Sequence, residues 1–180
     1  MLYNTNKLLY QIRGQTVDKW GKDQTGAIKY KINNYGFRSS KEYDWVPDYA
    51  FFGSSSVFGI GVDEDKCLVS YFDNAQNYGI AGNYLNNDSV VNLTNFVNSP
   101  IYNNTKIIFF WTERAQHEDI ACLIDQVNQV VDHVIHISQG KKYPGAINLM
   151  PQIDFDVSNT HPGPKTHKLW AKTIKLLLNE

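Results

Sequence analysis

The stretch that most limits the fold is TKIIFFWT, residues 105–112, where Ile107, Ile108, Phe109, Phe110 and Trp111 follow one another without a polar break. A run this short and apolar at every position predicts a strand buried on both faces, the kind found in parallel sheets covered by helices. Tyr49, Ala50, Phe51 and Phe52 have the same character and stop at Gly53. HVIHIS (133–138) reads as a further strand and residues 146–149 as a last short one. Between them, apolar residues recur at helical spacing: Cys67, Leu68, Tyr71, Phe72 and Ala75, then Leu85, Val90, Leu93 and Phe96, then Ile120, Ala121, Ile124, Val127 and Val131. These predict helices over 65–76, 84–97 and 117–131, the first leaving little room for a strand before the glycine turn NYGIAGNY at 77–84. A final helix over 165–179 follows Pro162, Gly163 and Pro164, with Leu169, Ile174, Leu176, Leu177 and Leu178 expected to seal the core.

Strands alternating with helices predict one domain over residues 1–180, a three-layer α/β/α sandwich with a mostly parallel sheet of about five strands. Residues 1–48 read as a polar, aromatic-rich lead-in packed on that domain. Leu8, Leu9 and Ile12 in it make one face of a short helix or an edge strand.

Composition removes several classes of function. A net charge of −1 gives no electrostatic footprint for nucleic acid or an anionic membrane. No run of about 18 apolar residues predicts a membrane span, and the first residues lack the apolar core of a signal peptide. A soluble intracellular protein is expected, free or carried in a particle assembled inside a cell. Cys67 and Cys122 are far apart and lack metal-ligand spacing, so both read as core thiols. His117, Glu118 and Asp119 resemble metal ligands by residue type only, since neighbours at a helix start point apart. His133 and His136 read as strand-end residues and His167 as a helix-face residue.

The chemistry points to two stretches. FFGSSSVFGIG (51–61) places Ser54, Ser55 and Ser56 just past an apolar strand, in the strand-turn-helix setting that exposes a nucleophile at a sheet's carboxyl edge. SNTHPGPKTHKLWA (158–171) places His161 in a Pro/Gly loop before a helix, where an imidazole can reach the same edge.

On these residues the chain resembles the SGNH/GDSL hydrolases, small α/β esterases and lipases of flavodoxin-like architecture. GSSSVFG (53–59) is similar to that family's first block, with Ser55 at the nucleophile. NYGIAGN (77–83) is similar to the second, with Gly82 at the oxyanion hole beside the Ser55 amide, and THPGPKTHKLWA (160–171) to the last, with His161 as general base. Three departures stand out: Ser54 replaces the acidic residue before the nucleophile, WTER (111–114) lacks the third block's Asn, and Ser158 occupies the position of the orienting Asp. Asp156 and Asp154 are the nearest carboxylates, and Asp156 is taken as the candidate to orient His161. Thr112, Glu113 and Arg114 follow the strongest strand; Thr112 or Arg114 can replace the missing donor, and Glu113 and Arg114 either contact an acyl or anionic substrate or form a surface ion pair.

The resemblance implies ester hydrolysis on a small acyl ester or acylated carbohydrate, with no metal and no organic cofactor. The alternatives are a non-catalytic binding or structural module that keeps the fold, and phosphate-ligand binding at the Ser54–Ser56 turn.

Overall fold

A computed structural model of the chain describes residues 28–33, 35–82, 87–111, 117–140, 142–149, 152–157 and 159–180. Five strands form one sheet: β1 (Tyr49–Gly53), β2 (Ala75–Gly79), β3 (Lys106–Trp111), β4 (Val134–Gln139) and β5 (Ile147–Leu149). All neighbouring strands pair in parallel, in the order β2-β1-β3-β4-β5. Among the described residues the helices are α1 (Ser55–Phe58), α2 (Asn87–Val97), α3 (His117–Val130) and α4 (Pro164–Leu177), with two short 3-10 turns at Glu64–Lys66 and Leu68–Tyr71. This is the expected three-layer α/β arrangement.

The apolar runs become central strands because a parallel sheet hides both of their faces. Alternate residues of β1 and β3 go to opposite layers. Phe52, Phe109 and Trp111 pack with Leu93 and Phe96 of α2 and Ile120, Ile124 and Val127 of α3. Phe51, Ile108 and Phe110 pack with Leu68, Phe72 and, from α4, Trp170 and Ile174. Each such side chain contributes about 1.5–3 kcal/mol on burial, so these two layers dominate the folding free energy.

The free edge of β2 is closed by the segment before β1. The Tyr43 hydroxyl accepts from Asn77 N (2.8 Å) and donates to Asn77 O (3.1 Å), and Gln76 Nε2 donates to Trp45 O (3.0 Å). A buried phenol thus replaces the missing neighbour strand.

The structure corrects several expectations. Residues 65–76 form no continuous helix; two 3-10 turns leave room for β2, which starts at Ala75. The reason is β2's hydrogen bonding to β1, a long-range gain that local periodicity does not register. Leu176 and Leu177 are exposed rather than sealing the core, because the layer is already filled by Trp170, Ala171 and Ile174. Cys67 is buried as expected, but Cys122 lies on the outer side of α3. Residues 1–27, including Leu8, Leu9 and Ile12, lie outside the described residues. No helix among the described residues is long and apolar enough to cross a membrane.

Candidate active site

In an open parallel sheet, ligands bind beyond the carboxyl ends of the strands where the winding reverses. Here that point lies between β1 and β3, and Ser55 opens α1 two residues after β1 ends. The end of β1 is held firmly, since Gly53 O accepts from Ile80 N (2.9 Å) and from Ser89 Oγ (2.9 Å). Gly79, at the end of β2, touches α1 so closely that a Cβ there would come 2.2 Å from Phe58 N. Asn77 reinforces the contact, donating from Nδ2 to Val57 O (2.9 Å) and accepting from Gly79 N (2.9 Å).

The three serines have different surroundings. Ser54 is buried, and its carbonyl accepts from Val57 N (3.1 Å) and Phe58 N (3.0 Å). Ser56 Oγ donates to Gln139 Oε1 at the end of β4 (2.8 Å). Ser55 is half-buried, and no hydrogen bond joins its hydroxyl to another described residue.

His161 sits on a hairpin-like loop. Asp156 N donates to His161 O (2.9 Å) and Gly163 N to Asp154 O (3.1 Å), with Phe155 bridged to Pro162. Asp156 is buried, and its Oδ1 accepts from Thr160 N (2.9 Å) and His161 N (3.2 Å). Its Oδ2 lies 3.9 Å from His161 Nδ1, while the nearer partner of that nitrogen is Thr160 Oγ1 at 2.9 Å. Asp154 anchors the loop to α4, accepting from Lys165 N (2.8 Å) and Thr166 N (2.7 Å) where the N-cap residue, Gly163, has no side chain to cap the helix. The loop also meets the serine turn, since Val157 N donates to Gly61 O (3.4 Å).

Asp156 and His161 are therefore brought together, and their loop is docked on the turn that follows Ser55. No hydrogen bond links Ser55 directly to His161 among the described residues. Gly82 lies past β2 on the same edge, with φ +79 and nothing within 4 Å of where its Cβ would be. Thr112, Glu113, Arg114 and Ser158 lie outside the described residues.

Two histidines are buried supports: His136 sits within β4 rather than at a strand end, and His167 lies on α4 as expected but is buried. Trp111 Nε1 donates to His136 Nδ1 (3.1 Å), which requires the other nitrogen to carry the proton that Asn128 Oδ1 accepts (2.9 Å). His167 Nδ1 accepts from Leu68 N (3.0 Å), and its ring also meets the Pro162 backbone, one residue past His161. Burial pushes both imidazoles down to about 4. Thr160 and Gln139 are partners that sequence reasoning missed; adjacency to His161 was the only signal for the first, and none marked the second.

A separate cleft of about 1090 Å³ opens beyond the β2 edge, lined by Lys41, Tyr43, Glu64 and Asp73 among others. None of Ser55, Gly82, Asp156 and His161 lines it. No cluster of His, Cys, Asp and Glu among the described residues has the arrangement to hold a metal ion. Comparison with protein-family models, with curated proteins and with solved structures finds no match.

Proposed function

We propose that this chain is a serine ester hydrolase acting on small acyl esters, acylated carbohydrates among them. The observation that carries this reading is the docking of the His161 loop, through Asp156, on the turn that Ser55 opens at the sheet's switch point. Ser55 Oγ attacks the acyl carbon while His161 Nε2 takes its proton. The ring is held from behind by Thr160 Oγ1, leaving Nε2 as the basic nitrogen, and the Asp156 carboxylate lies close enough to stabilise the imidazolium that forms. The Ser55 and Gly82 amides hold the oxyanion. The imidazolium returns its proton to the leaving alkoxide, and water then hydrolyses the acyl-serine by the same proton route. Apo geometry is often looser than the reacting complex, so the missing Ser55–His161 hydrogen bond is compatible with this mechanism.

The test is covalent labelling by a fluorophosphonate, with Ser55→Ala and His161→Ala as comparisons. Labelling of the wild type that both substitutions abolish is expected, together with release of acetate from model acetyl esters. A folded wild type that neither labels nor hydrolyses these esters leaves the alternative, an SGNH-like fold retained as a binding module.

A further inference from the structure

The turn after Ser55 is gripped by a residue far upstream. Arg38 is only 2% exposed, and no carboxylate among the described residues forms an ion pair with it. Its Nη1 donates to Phe58 O (2.9 Å) and to Gly59 O, and its Nη2 donates to Val62 O. The guanidinium lies 4.5 Å from the Tyr30 ring centroid and 5.6 Å from that of Phe58. The Tyr30 hydroxyl in turn accepts from Gly61 N (2.7 Å). Arg38 and Tyr30 together therefore engage Phe58, Gly59, Gly61 and Val62.

Burying a charge without a carboxylate partner is a poor route to stability. A planar fork of five donors is, however, well suited to gathering several carbonyls. Of the carbonyls gathered, Phe58 O closes α1, a single helical turn that leaves its last carbonyls without intrahelical partners and has little stability of its own, and Gly59 O and Val62 O belong to the turn that follows it. Ser55's own carbonyl accepts from Gly59 N (2.9 Å) and Ile60 N (3.2 Å), amides in the segment that Arg38 holds. On its other side the same segment receives Asp156 at Gly61.

We propose that Arg38, seconded by Tyr30, is a positioning residue for Ser55, setting the serine amide and hydroxyl through the Phe58–Val62 backbone. The inference rests on the esterase reading above. It makes the lead-in segment part of the reaction machinery without contact to substrate.

The test follows the rate constant of Ser55 labelling by a fluorophosphonate in Arg38→Met, Arg38→Lys and Tyr30→Phe across pH, with thermal unfolding measured alongside. Loss of position lowers the rate constant, whereas loss of folded molecules lowers only the labelled fraction. Folded Arg38→Met is expected to label about 100-fold more slowly, the penalty of a misplacement near 1 Å. Arg38→Lys is expected to recover little, because one ammonium does not span three carbonyls. The pH midpoint of labelling stays in place while the plateau falls, because the base is untouched. A folded Arg38→Met or Arg38→Lys that labels at the wild-type rate overturns the inference. If Arg38→Met does not fold, Tyr30→Phe decides: a slower rate with unchanged unfolding temperature supports the proposal, and an unchanged rate overturns it. A wild type that never labels overturns the esterase reading itself, and the inference with it.

Discussion

The carboxylate of Asp156 lies where a side chain on Gly61 would have to be: a Cβ built on Gly61 falls 2.0 Å from Asp156 Oδ2 and 2.6 Å from its Cβ. Gly61 also has φ +70, a backbone state that only glycine adopts readily. This contact, with the hydrogen bond from Val157 N to Gly61 O, couples the serine turn to the loop that carries His161.

Replacing Gly61 with Ala is therefore expected to push the Asp156–His161 loop off the serine turn. The cost is about 1–3 kcal/mol of stability from overpacking and about 100-fold in Ser55 labelling rate from misplacement of the base. Urea unfolding and labelling kinetics on the same samples measure both.

Thr160 and Asp156 act on one ring nitrogen. Thr160→Val removes the 2.9 Å hydroxyl contact, and Asp156→Asn keeps an acceptor for the Thr160 and His161 amides while removing the charge. Each is expected to lower ester kcat/KM by about 10- to 1000-fold, less than the roughly 10,000-fold known for a directly bonded carboxylate. Groups serving one ring are not additive, so the double variant is expected to lose less than the sum of the two effects in free energy. Steady-state kinetics on an acetyl ester decides it.

His136 and His167 are held near pKa 4 in the fold against an ordinary 6.5. The folded rings stay neutral where the unfolded chain takes up protons, so unfolding binds protons between these values and stability falls as pH falls. The contribution is fully present above pH 6.5 and lost as pH drops through about 4. Urea midpoints over this range are expected to decline with a proton uptake of about two, beyond that of the carboxylates. A His136→Gln variant, which removes one titrating ring, is expected to lower that uptake by about one proton.

Tyr43→Phe removes the hydroxyl that bonds both Asn77 N and Asn77 O at the β2 edge. Two buried backbone groups are left unpaired, at about 1–3 kcal/mol each. Lower unfolding temperature and increased association, from an edge with free donors and acceptors, are the expected outcomes. Calorimetry and light scattering measure them.

The two central strands β1 and β3 were legible because they are apolar at nearly every position. β3 and β4 fall within a residue or so of the expected stretches, as does α3. The layer helix expected over 65–76 was not legible in this way. Leu68, Tyr71 and Phe72 satisfy helical spacing, yet Ala75–Gly79 gains more by hydrogen bonding to β1 than a longer helix would return. At the site, the strand-turn-helix position of Ser55 was readable from Gly53 and the serines, and the loop position of His161 from Pro162 to Pro164. The proximity of Asp156 to His161 was anticipated from the lack of a carboxylate at Ser158, but the interposed Thr160 was not.

By itself, then, the amino-acid order determined the α/β layering and the edge at which Ser55 emerges. Both follow from local patterns: apolar runs that must be buried, and small residues that permit a sharp turn. Tertiary structure alone decided that Asp156 rests on Gly61, that Arg38 gathers the Phe58, Gly59 and Val62 carbonyls, and that His167 braces the Pro162 loop. Except for His167 and Pro162, which are five residues apart, those pairings join residues distant along the chain. A buried donor takes whichever acceptor the packing brings within about 3 Å, and only the completed fold sets which one that is.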